Sequence, residues 1–137
     1  MILRKIILMA LSLPFIFSLL FGCQQKEKVS TESEWISVSI SKTKGVDAIT
    51  FVDPETNNAL QSIFANAVKE PGIVNVTDPE FFLEVIDDRE NHHFFYLWIG
   101  EEGQRSSLMN TEDTHTIYTV SEKETDQLIE LVGSHFN

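Results

Sequence analysis

The chain has one cysteine in 137 residues, Cys23, so no internal disulfide can form and the fold must be held by its core alone. Basic residues are scarce too: ten Lys and Arg stand against 21 Asp and Glu, a formal net charge of −11. The stripe of cations that neutralises phosphates is missing, which argues against nucleic acid as a partner. The same acidity repels an anionic lipid surface, so the folded part is not expected to adhere to a membrane through its charge. Glycine and proline are few, six and four, and no internal repeat or low-complexity segment is present. What remains is 42% apolar and includes ten phenylalanines, enough for one sizeable core and a single domain.

The long apolar run lies at the N-terminus. Arg4 and Lys5 precede Ile6 to Phe21, 16 residues interrupted only by Ser12, Pro14 and Ser18, which is the layout of a secretory signal. As a helix it would extend about 24 Å, short of the roughly 30 Å hydrocarbon core, so a signal segment fits better than a permanent span. It ends in Leu20-Phe21-Gly22-Cys23, which resembles the lipobox of bacterial lipoproteins. That resemblance implies a diacylglycerol on the Cys23 thiol and cleavage before it, leaving 115 residues with a net charge of −13. Two acyl chains give stable attachment where one is marginal. The expected organisation is a lipoprotein signal peptide over 1–22, a flexible polar tether over 23–34, and one domain over 35–137 on the extracytoplasmic face of the cell membrane.

Period-2 alternation of Ile36, Val38 and Ile40 with serines predicts a half-buried strand, and Ala48 to Val52 a second one that can pair with it. Asp53-Pro54-Glu55 is a helix start, followed by Ala59, Leu60, Ile63, Phe64, Ala67 and Val68 on one face until Pro71-Gly72. Strands are expected at Phe81 to Ile86, Phe94 to Ile99 and His115 to Val120, with a weaker one near Ser106 to Met109. Phe94 to Ile99 is apolar on both faces and so belongs in the middle of a sheet. Ser121-Glu122-Lys123-Glu124 matches a capping box for a last helix that buries Leu128, Ile129, Leu131 and Val132 and ends at Gly133. This order lacks regular βα alternation. It predicts an α+β fold, a mostly antiparallel sheet of about five to six strands with two amphipathic helices packed on one face.

Chemistry-bearing residues are thinly spread. His92 and His93 lie beside Asp87, Asp88 and Glu90, but adjacent residues of a strand point to opposite faces, so both cannot easily reach one ion. Asp113 and His115, two apart, would share a face if they lay on a strand; with His92 they are the candidate metal ligands, or a base with its orienting carboxylate. Gly100 to Arg105 reads as a wide turn in which Arg105 pairs an acidic neighbour, and Gly-x-Ser-x-Gly is absent. Tyr96 and Trp98 read as core. Arg105 and Tyr118 are the candidate ligand-binding side chains, no catalytic residue is assigned, and no cofactor is implied.

Three segments, Gly72 to Glu80, Leu97 to Gly100 and Asp113 to Ser121 leading into the last helix, resemble the YhfM-like lipoproteins of Gram-positive bacteria. The resemblance covers roughly Trp35 to Val132. It implies a small lipid-anchored extracytoplasmic domain and carries no catalytic or binding residues with it. The expected function is a non-enzymatic binding or interaction module, held at the membrane by Cys23 and meeting an envelope protein or peptide. The alternatives are a metal site built on Asp113 and His115, and an accessory subunit of an envelope transporter or sensor complex.

Overall fold

Seven antiparallel strands and two helices account for most of residues 29, 32–72 and 75–136, which the computed structural model describes. In chain order they are β1 (Trp35–Ser41), β2 (Ile49–Phe51), α1 (Pro54–Ala65), β3 (Val68–Lys69), β4 (Phe81–Asp87), β5 (His92–Trp98), β6 (Ser106–Asn110), β7 (Tyr118–Val120) and α2 (Glu122–Val132). A short 3-10 turn, Gly133–His135, follows. The strands form one sheet in the order β2-β1-β4-β5-β6-β7-β3. The α+β class expected from the sequence is observed, with more strands than the five to six anticipated.

The added strand is β3, which pairs Val68 with Thr119 and Lys69 with Tyr118 at the sheet edge. The apolar helical spacing runs on through Ala67 and Val68, but the helix stops at Ala65. There the Asn66 amide donates to the Ser62 carbonyl and the Ala67 amide to the Phe64 carbonyl, each at 3.1 Å, and Val68 leaves the helix to extend the sheet. Its neighbour Glu70 continues the contact by donating its amide to the Ile117 carbonyl at 2.9 Å.

The helix starts follow the sequence. Asp53 Oδ2 accepts from the Thr56 amide at 2.9 Å with Pro54 in the first turn, and Ser121 Oγ accepts from the Glu124 amide at 3.2 Å. Only the serine half of the capping box is seen among the described residues, and Glu124 Oε2 is buried without a hydrogen-bond partner. Gly133 sits at the end of α2 in a right-handed conformation, φ −62°, and the chain runs on into the 3-10 turn, so it is not the left-handed cap that a terminal glycine suggests.

One face of the sheet carries the core. In β4, Phe81, Leu83, Val85 and Asp87 are buried while Phe82, Glu84 and Ile86 are half-buried, the period-2 signature of a strand with one covered face. The register Ile40↔Leu83↔Phe95 and Phe81↔Leu97↔Leu108 carries that face across the sheet. Leu60, Ile63 and Phe64 of α1 and Leu128 and Val132 of α2 join it in one buried cluster. Each such side chain contributes about 1.5–3 kcal/mol by leaving water.

A bulge docks α1 on the N-terminal end of β1. The register shifts between Trp35 and Ser37, which takes the Trp35 amide and the Ile36 carbonyl out of the ladder. Two residues of α1 four apart, and so on one face, meet them: Gln61 Oε1 accepts from the Trp35 amide at 3.0 Å, and Asn57 Nδ2 donates to the Ile36 carbonyl at 2.9 Å. Gln61 Nε2 also donates to the Ser33 carbonyl at 2.8 Å. Specific contacts therefore extend N-terminal of Trp35, into a stretch that its polar, aperiodic sequence marks as tether, and Val29 is buried.

As expected, β5 is central in the sheet, fourth of the seven strands. Its outward side chains Tyr96 and Trp98 lie on the face away from the core cluster and are half-buried, which corrects the reading of them as core. Trp98 Nε1 donates to the Asp78 carbonyl at 3.0 Å, so the segment before β4 covers part of that face. The Lys44 ammonium lies 6.0 Å from the centre of the Phe94 ring.

Phe64 is fully buried and Val52 is 70% exposed. Phe64→Ala should cost about 3–5 kcal/mol of unfolding free energy in a urea titration, whereas Val52→Ala should stay within about 0.5 kcal/mol of the parent.

Candidate functional site

The β4–β5 hairpin turns at Asp87, the last residue of β4, and this side chain faces inward because it continues the Phe81, Leu83, Val85 alternation. It is 2% exposed, so its carboxylate must find donors within the protein. It finds four. Oδ1 accepts from the amides of Arg89 and Asn91, each at 2.9 Å, and Oδ2 accepts from Asn91 Nδ2 at 3.2 Å and His93 Nε2 at 2.9 Å. The backbone closes the same turn, with the Asp87 amide donating to the Asn91 carbonyl and the Glu90 amide to the Asp87 carbonyl. Glu90 takes φ +64° to complete it.

The hydrogen bond from His93, helped by those of Asn91 and Arg89, holds the Asp87 carboxyl well below the usual carboxylate range despite its burial. An ionised Asp87 accepts only, so the proton between the two side chains sits on His93 Nε2. In the neutral form of the imidazole the lone pair then lies on Nδ1, which makes no hydrogen bond among the described residues, and the side chain is 43% exposed. That is the arrangement of a base with its orienting carboxylate.

His93 and Asp87 form part of the wall of a cleft of about 360 Å³, on the inner side of the sheet where it runs beyond the helices. The Trp35, Phe95 and Tyr118 side chains give it an aromatic lining, and Glu32, Ser33, Asn91 and Asn110 its remaining polar groups. Trp35 is itself held between Phe64 and Phe95, with ring centroids 5.8 Å and 6.3 Å away. A concavity of this size is within the range of small-ligand sites, and its lining is more polar than apolar, with convergent polar groups beside the aromatic rings. No hydrogen bond joins a hydroxyl to His93 among the described residues, so the pair lacks an attached nucleophile.

The residues singled out from the sequence fall in different places. Tyr118 lines this cleft, whereas Arg105 lines a separate concavity with Glu70, Glu122 and Lys123 and makes no ion pair among the described residues, contrary to the acidic partner expected for it. Asp113 and His115 are exposed in the turn before β7, which begins only at Tyr118. They therefore lack the shared strand face that motivated them as a pair, and Asp113 Oδ1 accepts from the His115 amide at 3.3 Å. His92 and His93 do point to opposite faces: His92 Nδ1 meets Glu84 Oε1 at 2.8 Å on the outer side, and His93 meets Asp87 within. Among the described residues no three His, Cys, Asp or Glu side chains gather in a group able to hold a metal ion. Cys23 lies outside the described residues.

The seven-stranded antiparallel sheet with its two helices has a counterpart among solved structures. A thioesterase-like protein from Clostridium sporogenes superposes with a TM-score of 0.50 at 15% identity, over 76% of this chain and 98% of that one. At that identity the likeness is one of fold. The family follows from the sequence: the model of the YhfM protein family matches residues 30–136, and the chain belongs to that family. No match was found among curated proteins. No helix among the described residues is long and apolar enough to cross a membrane.

A carboxylate whose folded pKa is depressed contributes stability that is fully present above its unfolded value, here 3.8, and is lost as pH falls toward the folded value. The unfolding free energy of the parent should therefore decline from about pH 4 downward in part through Asp87. Asp87→Asn should flatten that decline and be less stable at neutral pH, because an amide nitrogen in place of one oxygen would face donors. Denaturant titrations from neutral to acid pH read both effects, and parallel curves for the two proteins would remove Asp87 from this role.

Proposed function

We propose that this member of the YhfM family is a lipid-anchored lipoprotein of the extracytoplasmic membrane face of a Gram-positive bacterium, and that it works as a binding module through the Asp87–His93 cleft. The observation that carries the binding half is the cleft itself: a histidine held by a saturated carboxylate, with an unoccupied nitrogen, beside an aromatic lining. The anchor half rests on the basic and apolar start of the chain and on Leu20-Phe21-Gly22-Cys23. Val29, which lines the cleft, follows Cys23 by six residues. Even a fully extended chain of that length spans only roughly 20 Å. A lipid on Cys23 would thus keep the cleft close to the headgroups, where a membrane-associated ligand or envelope partner is concentrated. Labelled palmitate should enter the parent protein in cells and fail to enter Cys23→Ser; equal labelling of the two would overturn the anchor.

The His93–Asp87 geometry also favours a second reading, hydrolysis with His93 as general base. Its neighbour in fold is a thioesterase-like protein, so an acyl thioester is the first substrate class to test. Nδ1 would take a proton from a bound water as the water adds to the carbonyl carbon; the C–S bond then breaks and the proton passes to the departing thiolate. Under this reading purified protein should turn over chromogenic acyl thioesters, and His93→Ala should lose at least about 100-fold of the rate. Undiminished turnover in His93→Ala, or none in the parent, would retire it and leave the binding module.

A further inference from the structure

We propose that the ligand of the cleft presents a primary ammonium group, bound between the Glu32 carboxylate and the free Nδ1 of His93 against the aromatic lining. This rests on the cleft being the binding site, and names the chemistry it selects.

Among the described residues the lining contains two carboxylates, Glu32 and Asp87, and no Lys or Arg. A carboxylate or phosphate ligand would enter it unpaired and against like charge, on a chain whose formal net charge is −11. Arg105 and Lys123, cations able to pair with an anion, line a different concavity. Asp87 cannot be the direct partner, because both its oxygens are taken by donors. It acts at one remove, turning the His93 lone pair outward and adding its negative charge. Acceptors remain on Glu32, which is exposed, on His93 Nδ1, and on Asn110 Oδ1, which also accepts the Glu112 amide at 2.8 Å, with the Ser33, Asn91 and Tyr118 side-chain oxygens adding neutral ones.

An ammonium supplies three donors to such an acceptor set and is protonated at neutral pH, as lysine is. Its carbon stem suits the Trp35 and Phe95 side, and Tyr118 adds a ring face toward which a cation is drawn. A neutral alcohol fits the same space but has one donor and no charge. The cleft thus discriminates by charge sign first and by donor number second.

Three probes of one shape separate these contributions: benzylammonium, benzyl alcohol and benzoate. Each is titrated at neutral pH into the full chain in neutral detergent, by calorimetry and by the NMR shifts of the His93 ring and the Trp35 indole. Benzylammonium should shift both rings and bind about tenfold more tightly than the alcohol, while benzoate should leave them unmoved. Glu32→Gln, a change at an exposed residue, and His93→Gln, which keeps a donor for Asp87 and displaces the acceptor, should each weaken benzylammonium binding by about three- to tenfold. Added salt should weaken it further in the parent. If the alcohol or benzoate bound the cleft as tightly as benzylammonium, the ammonium inference would fail while the cleft remained a binding site. Absence of any shift at His93 and Trp35 with all three probes would sink both readings.

Discussion

The Asp87 carboxylate is the group on which the rest of the structure turns. An ionised carboxylate removed from water is costly unless donors replace the lost hydration, and the β4–β5 turn supplies four within seven residues of chain. Those bonds can all form only if Asp87 points inward. Side chains alternate along a strand, so an inward Asp87 places Phe81, Leu83 and Val85 in the core as well, and a slip of one residue would expose all of them. The partner registers follow: Val85 opposite His93, Leu83 opposite Phe95, Phe81 opposite Leu97, and Trp35 opposite Asp87 itself. One side chain thus sets the pairing of the central strands and the direction of the histidine.

The same constraint explains why the two adjacent histidines differ. His92 faces the outer side and meets Glu84 where both are well exposed, in a pair that water and salt screen and that adds little. His93 meets a carboxylate that is 2% exposed and already oriented by the turn. Its ring therefore has one tautomer that satisfies Asp87, and one nitrogen left over. Sequence adjacency gives the pair a common chemistry, and the strand's alternation gives them separate environments.

Much of the fold was legible because local rules and tertiary packing agree. The alternation of β1 and β4, the Asp53-Pro54 start of α1, the Ser121 cap of α2 and the central place of β5 follow from periodicity and capping chemistry. β3 was not legible: Val68 continues the helical spacing of α1, and the pairing that draws it into the sheet comes from Thr119, 51 residues away. The site was half legible. Tyr118 was singled out on residue type, and the opposite directions of His92 and His93 follow from the pleat. The strand expected over Phe81 to Ile86 stops one residue short of Asp87. Carrying the Phe81, Leu83, Val85 alternation one step further would have placed it inward, and a tight turn after it would have set His93 opposite Val85 on the same face. Asp113 and His115 failed the geometry proposed for them because β7 starts after both, at Tyr118.

What distinguishes the cleft from a gap at the end of the core is that its walls come from two parts of the chain fixed independently. The Asp87 turn fixes one wall. The other begins at the β1 bulge, where Asn57 and Gln61 of α1 hold Ile36, Trp35 and Ser33 by the backbone. The Asp88 amide ties the two together by donating to the Glu34 carbonyl at 2.8 Å. Hydrogen bonds at the mouth therefore hold the backbone of Ser33 and Glu34, and Glu32 and Ser33 line the same cleft as His93 although nothing in their own sequence gives them a regular conformation. A ligand touching both walls would bridge segments more than fifty residues apart and favour the arrangement in which they face each other. Binding and the placement of Glu32 and Ser33 are then linked, since whatever stabilises one stabilises the other.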